Sequence, residues 1–305
     1  MKNKGLSGLT RDQKIGGGIS VFTYLLWGIL PVYWSLLDSV PAETVMALRV
    51  VWTLLVTAAI IFANGSWRKA FVKEAKEIFH RPKKLLIVFT CAFLLAANWL
   101  IFIWAIGSGF VVDVSLAYFI NPLLNFVLAV AFLKEKATRT GVAAVALALI
   151  GVAVMAVYTG FIPWISIVIA AAFAFYGLLK KFLVYQAYTG FMLEVAIMLP
   201  FAIVFLSLFS GDRPITSIGS WLHFLIALSG PLTAIPMMLF AESTRRISYI
   251  AIGFYQYLSP TCTFLLAIFY YGEVISPIRL LGFVFIWAGI AVFCAGAVHD
   301  LRRAT

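Results

Sequence analysis

Residues 111–135 read VVDVSLAYFINPLLNFVLAVAFLKE, and residues 249–273 read YIAIGFYQYLSPTCTFLLAIFYYGE. The two stretches align without a gap at an offset of 138 residues, which places Pro122 on Pro260 and Glu135 on Glu273. At the same offset Gly151 falls on Gly289. Apolar matches are common in such a chain, but proline, glutamate and glycine matches at one offset are not. The two stretches therefore indicate an internal repeat.

Ten apolar segments can be drawn around these stretches. The 305-residue chain is 63% hydrophobic and 11% charged, a composition that excludes a soluble globular protein. Segments of about 20 apolar residues cross a bilayer as helices, since each helix satisfies its own backbone hydrogen bonds. The predicted spans are residues 16–37, 42–63, 85–108, 114–133, 140–158, 164–183, 191–210, 221–239, 247–271 and 277–298.

The repeat consists of five spans. Span four matches span nine, Trp27-Gly28 in span one has a weaker match in Tyr176-Gly177 of span six, and Glu43 in span two has a counterpart in Glu194 of span seven. An odd number of spans makes the second copy enter the membrane in the opposite direction. The sequence thus predicts an all-α integral membrane protein with ten transmembrane helices in two inverted repeats, residues 1–158 and 159–305. Inverted repeats are typical of secondary transporters.

Basic residues lie almost entirely on one side of the predicted spans. The N-terminal tail, the even-numbered loops and the C-terminal tail carry the Lys and Arg residues, whereas the other side has Arg213 and Arg279. This asymmetry predicts that both termini are cytoplasmic. It also accounts for the net charge of +11 without a nucleic-acid partner. The loop 64–84 has the pattern of an amphipathic helix on the membrane surface, and either an anchoring or a regulatory role fits it.

No sequence motif supports catalysis, a metal site or a cofactor. The three cysteines, Cys91, Cys262 and Cys294, are isolated in apolar segments, and the three histidines are far apart. Hydrolase, metalloprotease and nucleotide-binding signatures are absent. We therefore expect a protein that is not an enzyme and that requires no cofactor.

Three ionisable residues within the predicted spans are candidates for function, because charges inside a membrane are costly and usually functional. Arg49 in span two is a candidate for substrate binding or gating, and its structural alternative is pairing with a nearby carboxylate. Glu194 and Glu43 are candidates for coupling or gating. The alternative for Glu194 is a pair with Lys180 or Lys181 at the interface.

Polar and aromatic residues predict a solute cavity between the two halves. Tyr118, Asn121 and Asn125 share one face of span four, and that face is expected to point inward because buried amides need partners. Interhelical hydrogen bonding is the alternative. An aromatic lining would suit a planar, cationic or amphipathic solute. The predicted substrate-binding residues are Tyr24, Trp27, Arg49, Asn98, Trp99, Tyr118, Asn121, Tyr176, Tyr255 and Gln256.

Several motifs together resemble a known transporter family. They are YLLWGILP at 24–31, PAE at 41–43 with RVVW at 49–52, NWLIFIWA at 98–105, YFINPL at 118–123, AFYGL at 174–178, TG at 189–190 with Glu194, GFYQY at 253–257 with Pro260, and YGE at 271–273. In these motifs the chain resembles the EamA-type drug/metabolite transporter superfamily, and within it the RarD-like permeases. Lys134 and Ser259 depart from the pattern of that branch.

The resemblance implies a bacterial cytoplasmic-membrane permease of the group labelled chloramphenicol-sensitivity proteins. We expect a secondary transporter of a small organic solute or drug-like metabolite that works by alternating access. An integral-membrane lipid-handling protein or enzyme is the alternative, and a channel or scramblase also stays open. The expected partners are the small-molecule substrate and the lipid bilayer. Small residues in spans five and ten leave a homodimer open.

Overall fold

The computed structural model describes residues 10–108, 110–159, 164–209, 219–270, 272 and 276–303, and within these ranges the chain is almost entirely helical. The helices are α1 (Arg11–Trp34), α2 (Ala42–Ala63), α3 (Gly65–Phe79), α4 (Pro82–Gly107), α5 (Val111–Leu133), α6 (Arg139–Thr159), α7 (Trp164–Phe182), α8 (Ala187–Phe209), α9 (Ser220–Arg246), α10 (Tyr249–Gln256), α11 (Leu258–Phe269) and α12 (Pro277–Arg303). A single 3-10 turn, Ser35–Leu37, follows α1.

The predicted ten spans are confirmed, since ten segments of the described chain are long and apolar enough to cross a membrane. Helix ends differ from the sequence-based bounds by a few residues, and the largest differences are in the eighth and ninth spans. The eighth extends to Arg246 as α9. The ninth consists of two helices, α10 and α11, because Pro260 cannot donate to the carbonyl group four residues earlier, at Gln256 where α10 ends.

The loop between the second and third spans forms the predicted amphipathic helix, α3. Asn64 begins this helix by accepting hydrogen bonds from the backbone N–H groups of Ser66 and Trp67. Trp67 stacks on Tyr188 of α8 with ring centroids 5.0 Å apart. The helix therefore packs against the second half of the bundle as well as against α2 and α4.

Helix pairing follows the pattern expected of two related halves. Helix α1 packs on α9 and α11, and helix α7 packs reciprocally on α4 and α5. The left-handed backbone of Lys134 (φ 54°) recurs at Gly272 (φ 66°), which is the equivalent residue 138 positions later. Both observations are consistent with the inverted repeat. Helices commonly end at a residue with left-handed backbone conformation, which is usually glycine. At position 134 a lysine adopts this conformation, which glycine would adopt without strain.

The small residues of spans five and ten pack against each other within the chain. A Cβ atom added at Gly151 would lie 2.6 Å from the carbonyl oxygen of Gly282, and one at Gly289 would lie 2.6 Å from that of Ala144. Helices α6 and α12 therefore meet backbone to backbone. These glycines serve an intramolecular contact, and a homodimer stays a prediction.

The bundle has two ends, which we name by their loops. The basic end carries α3 and the connections at 134–138, 183–186 and 247–248, and the opposite end carries the connections at 35–41 and 108–110. This polarity matters for the site because the contacts that hold the two halves together differ between the ends.

Candidate functional site

Arg49 lies between two indole rings in the half of the bundle nearer the opposite end. Its guanidinium carbon is 4.0 Å from the ring centroid of Trp99 on α4 and 5.2 Å from that of Trp34 on α1. The side chains of Tyr33 and Tyr118 lie near its charge. Its Nε atom is buried and has no hydrogen-bond partner. Arg49 and Trp99 are thus brought together as predicted, and Trp34 is a contact that the prediction did not include.

Tyr118 marks an opening beside Arg49. On α5 it shares a face with Asn121 and Asn125, whose side chains are buried, yet Tyr118 itself is 41% exposed. Its ring packs edge-on against Phe102 of α4 at 6.3 Å. Since Asn121 and Asn125 on the same face are buried, the exposure of Tyr118 marks accessible space beside Arg49, which we call the cleft.

The predicted amide side chains below Tyr118 connect helices. Asn98 donates to the backbone carbonyl of Ile169, and Asn121 donates to that of Ala170, so both bind neighbouring carbonyls of α7. Asn125 donates to the Gln256 carbonyl oxygen across the two halves, at 2.8 Å. The interhelical alternative therefore accounts for the amide donors. The carbonyl oxygens of Asn121 and Asn125 are buried without partners.

Aromatic side chains fill the bundle on the basic side of this cleft. Trp27 contacts Tyr24 at 5.4 Å and Phe240 at 5.8 Å, and Tyr176 stacks on Phe240 at 6.1 Å. Phe173 of α7 joins the same cluster. The predicted binding residues include Tyr24, Trp27 and Tyr176 of this cluster, but not Phe173 or Phe240. The spacing of three residues between Phe173 and Tyr176 would have signalled a shared helix face.

A buried ion pair lies beside this aromatic cluster. Glu194 of α8 is fully buried and is paired with the Nζ of Lys180 of α7, which is 4% exposed. The hydroxyl group of Tyr176 donates to the same carboxylate at 3.1 Å. The sequence-based alternative of an interfacial pair with Lys180 thus names the right partner, but the pair lies in the interior rather than at the interface.

Two other predicted residues lie apart from these groups. Glu43 is exposed in the first turn of α2, unlike its proposed counterpart Glu194. Tyr255 is half-buried, and its hydroxyl group packs against Gly17 of α1. Neither contacts the cleft around Arg49 in the described part of the chain.

Glu135 joins the two halves at the basic end. Its carboxylate accepts hydrogen bonds from the backbone N–H groups of Tyr249 and Ile250, at 2.6 and 3.0 Å. Glu135 lies in the connection between α5 and α6, and its carboxylate caps a helix N-terminus. That helix is α10 of the second half. Glu273, the equivalent residue, falls outside the described residues.

Further contacts close the basic end. Arg246 on α9 binds Asp12 on α1 at 2.9 Å. Glu74 of α3 accepts from the hydroxyl group of Thr189 and from the backbone N–H of Gln186. Close to them, hydrogen bonds from Lys84 and then Tyr185 lower the pKa of the exposed Glu77 carboxyl below its ordinary value. Toward the opposite end, the described residues join the halves by the hydrogen bond from Tyr33 to the Leu225 carbonyl, by the amide bonds to α7 and by two apolar clusters.

Comparison with known proteins identifies the family. The profile of the EamA-like transporter family matches residues 15–157 and 162–295. An uncharacterized transporter of Vibrio cholerae is 36% identical over 300 residues, which covers 96% of this chain and 97% of the relative. Protein RarD of Salmonella typhimurium is 35% identical and covers 96% of this chain and 99% of its own length.

A more distant relative and a solved structure agree with this match. The chloramphenicol-sensitive protein RarD of Pseudomonas aeruginosa is 28% identical over 93% of this chain and 95% of its own. A crystal structure with 18% identity superposes with a TM-score of 0.69 over 95% of this chain and 98% of the other, which supports the fold. With two profile matches that span most of its length, the chain belongs to the EamA-like transporter family.

Proposed function

We propose that the protein is a secondary transporter of a small organic solute across the bacterial cytoplasmic membrane. The observation that carries this proposal is the charged and aromatic site inside the bundle. Arg49, Trp99 and the exposed ring of Tyr118 lie in the half nearer the opposite end, whereas Glu135 and its partners hold the two halves together at the basic end. In alternating access the site would be reached from one end at a time. With both termini in the cytoplasm, the opposite end would face outward.

The two repeats, 1–158 and 159–305, would rock about the aromatic cluster in this mechanism. Opening the basic end requires that Glu135 release the N-terminus of α10 and that Asp12 release Arg246. These are surface-accessible polar contacts, whose loss water can compensate. The aromatic cluster lies between these contacts and the cleft. Its rings are largely apolar, so they can repack while ions stay excluded.

Accessibility of two engineered cysteines tests this mechanism. Tyr118→Cys reports on the cleft, and Ala241→Cys reports on the buried side of the basic end near Lys180 and Gly190. In vesicles of defined orientation, a membrane-impermeant maleimide should label Tyr118→Cys from outside and leave Ala241→Cys unlabelled. The wild-type chain, with its three cysteines, gives the background.

A transported solute should change the two labelling rates in opposite directions. Suitable compounds come from a thermal-shift panel of amino acids, nucleosides, sugars, organic cations and phenicols, since a ligand that binds the folded state stabilises it. The name of the Pseudomonas aeruginosa relative is the reason to include phenicols. Simultaneous labelling of both cysteines would instead indicate a channel. If no stabilising compound changes either labelling rate, the result would contradict alternating access.

We further propose that Glu194 couples transport to protons. Its carboxylate faces Lys180 and Tyr176 of α7, and Cys91 of α4 lies within electrostatic range. Glu194→Gln should then abolish the dependence of transport on a pH gradient, measured in proteoliposomes. Glu43→Gln tests the second candidate in the same assay. A Glu194→Gln protein that keeps the wild-type gradient dependence would assign Glu194 a structural role.

A further inference from the structure

Arg49 is a cation with no carboxylate partner among the described residues. In the described part of the chain it makes no ion pair, and its contacts are the rings of Trp99 and Trp34. Its buried Nε atom donates to nothing. By contrast, Lys180 is buried with a carboxylate beside it. A partly buried charge without a counter-ion is costly, so Arg49 is poised to receive one from outside the protein.

The chemistry of the side chain indicates which anion fits. A guanidinium group presents a planar fork of N–H donors that matches a carboxylate in a bidentate arrangement. The ring contacts hold the guanidinium carbon in place but satisfy none of its N–H donors. Preorganised in this way, the group gives up little conformational freedom when a carboxylate binds.

The surroundings indicate the rest of the solute. Trp34, Trp99, Phe102 and Tyr118 present aromatic surface around Arg49. The two indole faces that a cationic solute would use are already occupied by the arginine, and Arg49 itself would repel such a solute. This argues against the cationic class that an aromatic cavity alone would suit.

From this geometry we propose that Arg49 and its aromatic neighbours form the binding site for an organic monocarboxylate with an apolar or aromatic body. The inference rests on the transporter proposal, since it names the substrate class of that same cleft. The near-matched probes 3-phenylpropionate, 3-phenylpropionamide, 2-phenylethylamine and L-phenylalanine share a phenylalkyl body and present an anion, a neutral amide, a cation and a zwitterion. They therefore separate the charge requirement from the apolar contact.

Thermal unfolding and calorimetric titration of the purified full chain with these probes test the inference. At about 10 mM, 3-phenylpropionate should stabilise the wild-type protein, and the amide and amine should bind at least about tenfold more weakly. Arg49→Gln should weaken carboxylate binding at least about tenfold, and Arg49→Lys should lose a smaller factor because the ammonium keeps the charge without the fork. Arg279→Gln, an exposed arginine near the same end, should bind like wild type.

Each remaining outcome counts against the inference. Equal or tighter binding of the amine or amide, unchanged binding by Arg49→Gln, or no response to 3-phenylpropionate would overturn it. Tighter binding of L-phenylalanine than of 3-phenylpropionate would replace the monocarboxylate by a zwitterion. The cysteine-labelling assay reports on alternating access independently, so failure of the substrate class and failure of the transport proposal are distinguishable.

Discussion

Two charged sites lie inside the helix bundle, and they differ in how their charge is compensated. Arg49 is seven residues into α2 from the opposite end, and Glu194 is seven residues into α8 from the basic end, so each lies about 10 Å deep. Glu194 has Lys180 and Tyr176 as partners and no exposure. Arg49 has two indole rings, no carboxylate in the described part of the chain, and an open cleft beside it.

The difference teaches which charge has its compensation inside the protein and which one can take it from a ligand. A buried pair is complete in itself, and breaking it leaves an uncompensated charge. An unpaired arginine at a cleft gains its compensation when a ligand arrives. We therefore expect substitutions in the Glu194–Lys180 pair to change mainly the free energy of unfolding, and substitutions of Arg49 to change mainly ligand binding.

The largest effect should follow from breaking the ion pair. Glu194→Ala leaves Lys180 charged and buried, and we expect a loss of about 3–5 kcal/mol in the free energy of unfolding. Replacing both partners, as Glu194→Leu with Lys180→Met, should recover most of that loss. Unfolding in detergent monitored by tryptophan fluorescence measures both. A single variant that unfolds like wild type would show that the pair does not stabilise the fold.

A smaller effect should follow from loosening the basic end. Glu135→Ala removes two hydrogen bonds from a charged acceptor to the N-terminus of α10. We expect the substitution to destabilise the state closed at this end by about 1–3 kcal/mol. The labelling rate of Ala241→Cys should then rise and that of Tyr118→Cys should fall. Thr138→Ala is the matched control, because it also removes a hydrogen bond to a helix N-terminus, that of α6, but within one half. Equal responses to the two variants would refute a gating role for Glu135.

The indole contact with Arg49 should contribute modestly to binding. Trp99→Phe keeps an aromatic ring but weakens the cation–π contact, and we expect affinity for 3-phenylpropionate to fall by about 2- to 5-fold. Trp104→Phe is the control, since Trp104 is exposed and contacts Phe110 and Trp164 instead. Calorimetric titration compares the two. A loss as large for Trp104→Phe would mean that the site is not centred on Trp99.

The smallest stability effect should come from Arg49 itself. Arg49→Gln gives up two ring contacts but also removes an unpaired charge, so its free energy of unfolding should stay within about 1 kcal/mol of the wild type. Arg279→Gln provides the exposed reference in the same unfolding experiment. A loss as large as that of Glu194→Ala would mean that Arg49 is a structural charge, and the contrast between the two sites would disappear.

Several residues of the site could be predicted individually, but which of them contact each other could not. Arg49, Trp99 and Tyr118 could be selected because a charge inside an apolar segment and a polar helix face are visible in the sequence. That Trp34 covers Arg49 depends on how α1 and α2 pack. Likewise, Phe240 comes from a distant helix with no pattern that connects it to Trp27.

The mirrored carboxylates show the limit of the repeat as a guide. Glu43 and Glu194 match in the sequence, yet Glu43 is exposed and Glu194 is buried with Lys180. Glu135 caps a helix as a repeat glutamate at a turn should, but the helix is in the other half of the chain. Sequence symmetry therefore indicates related positions without indicating related environments.

The sequence by itself determined the ten helices and the membrane class, because hydrophobic length and charge act locally along the chain. It also limited the functional candidates to the few polar groups within apolar spans. Only the tertiary structure decided which charge is paired and which contacts join the two halves. Those properties depend on contacts between different helices, from 14 positions apart for Lys180 and Glu194 to 234 for Asp12 and Arg246. No local pattern encodes which side chain of another helix satisfies a buried group.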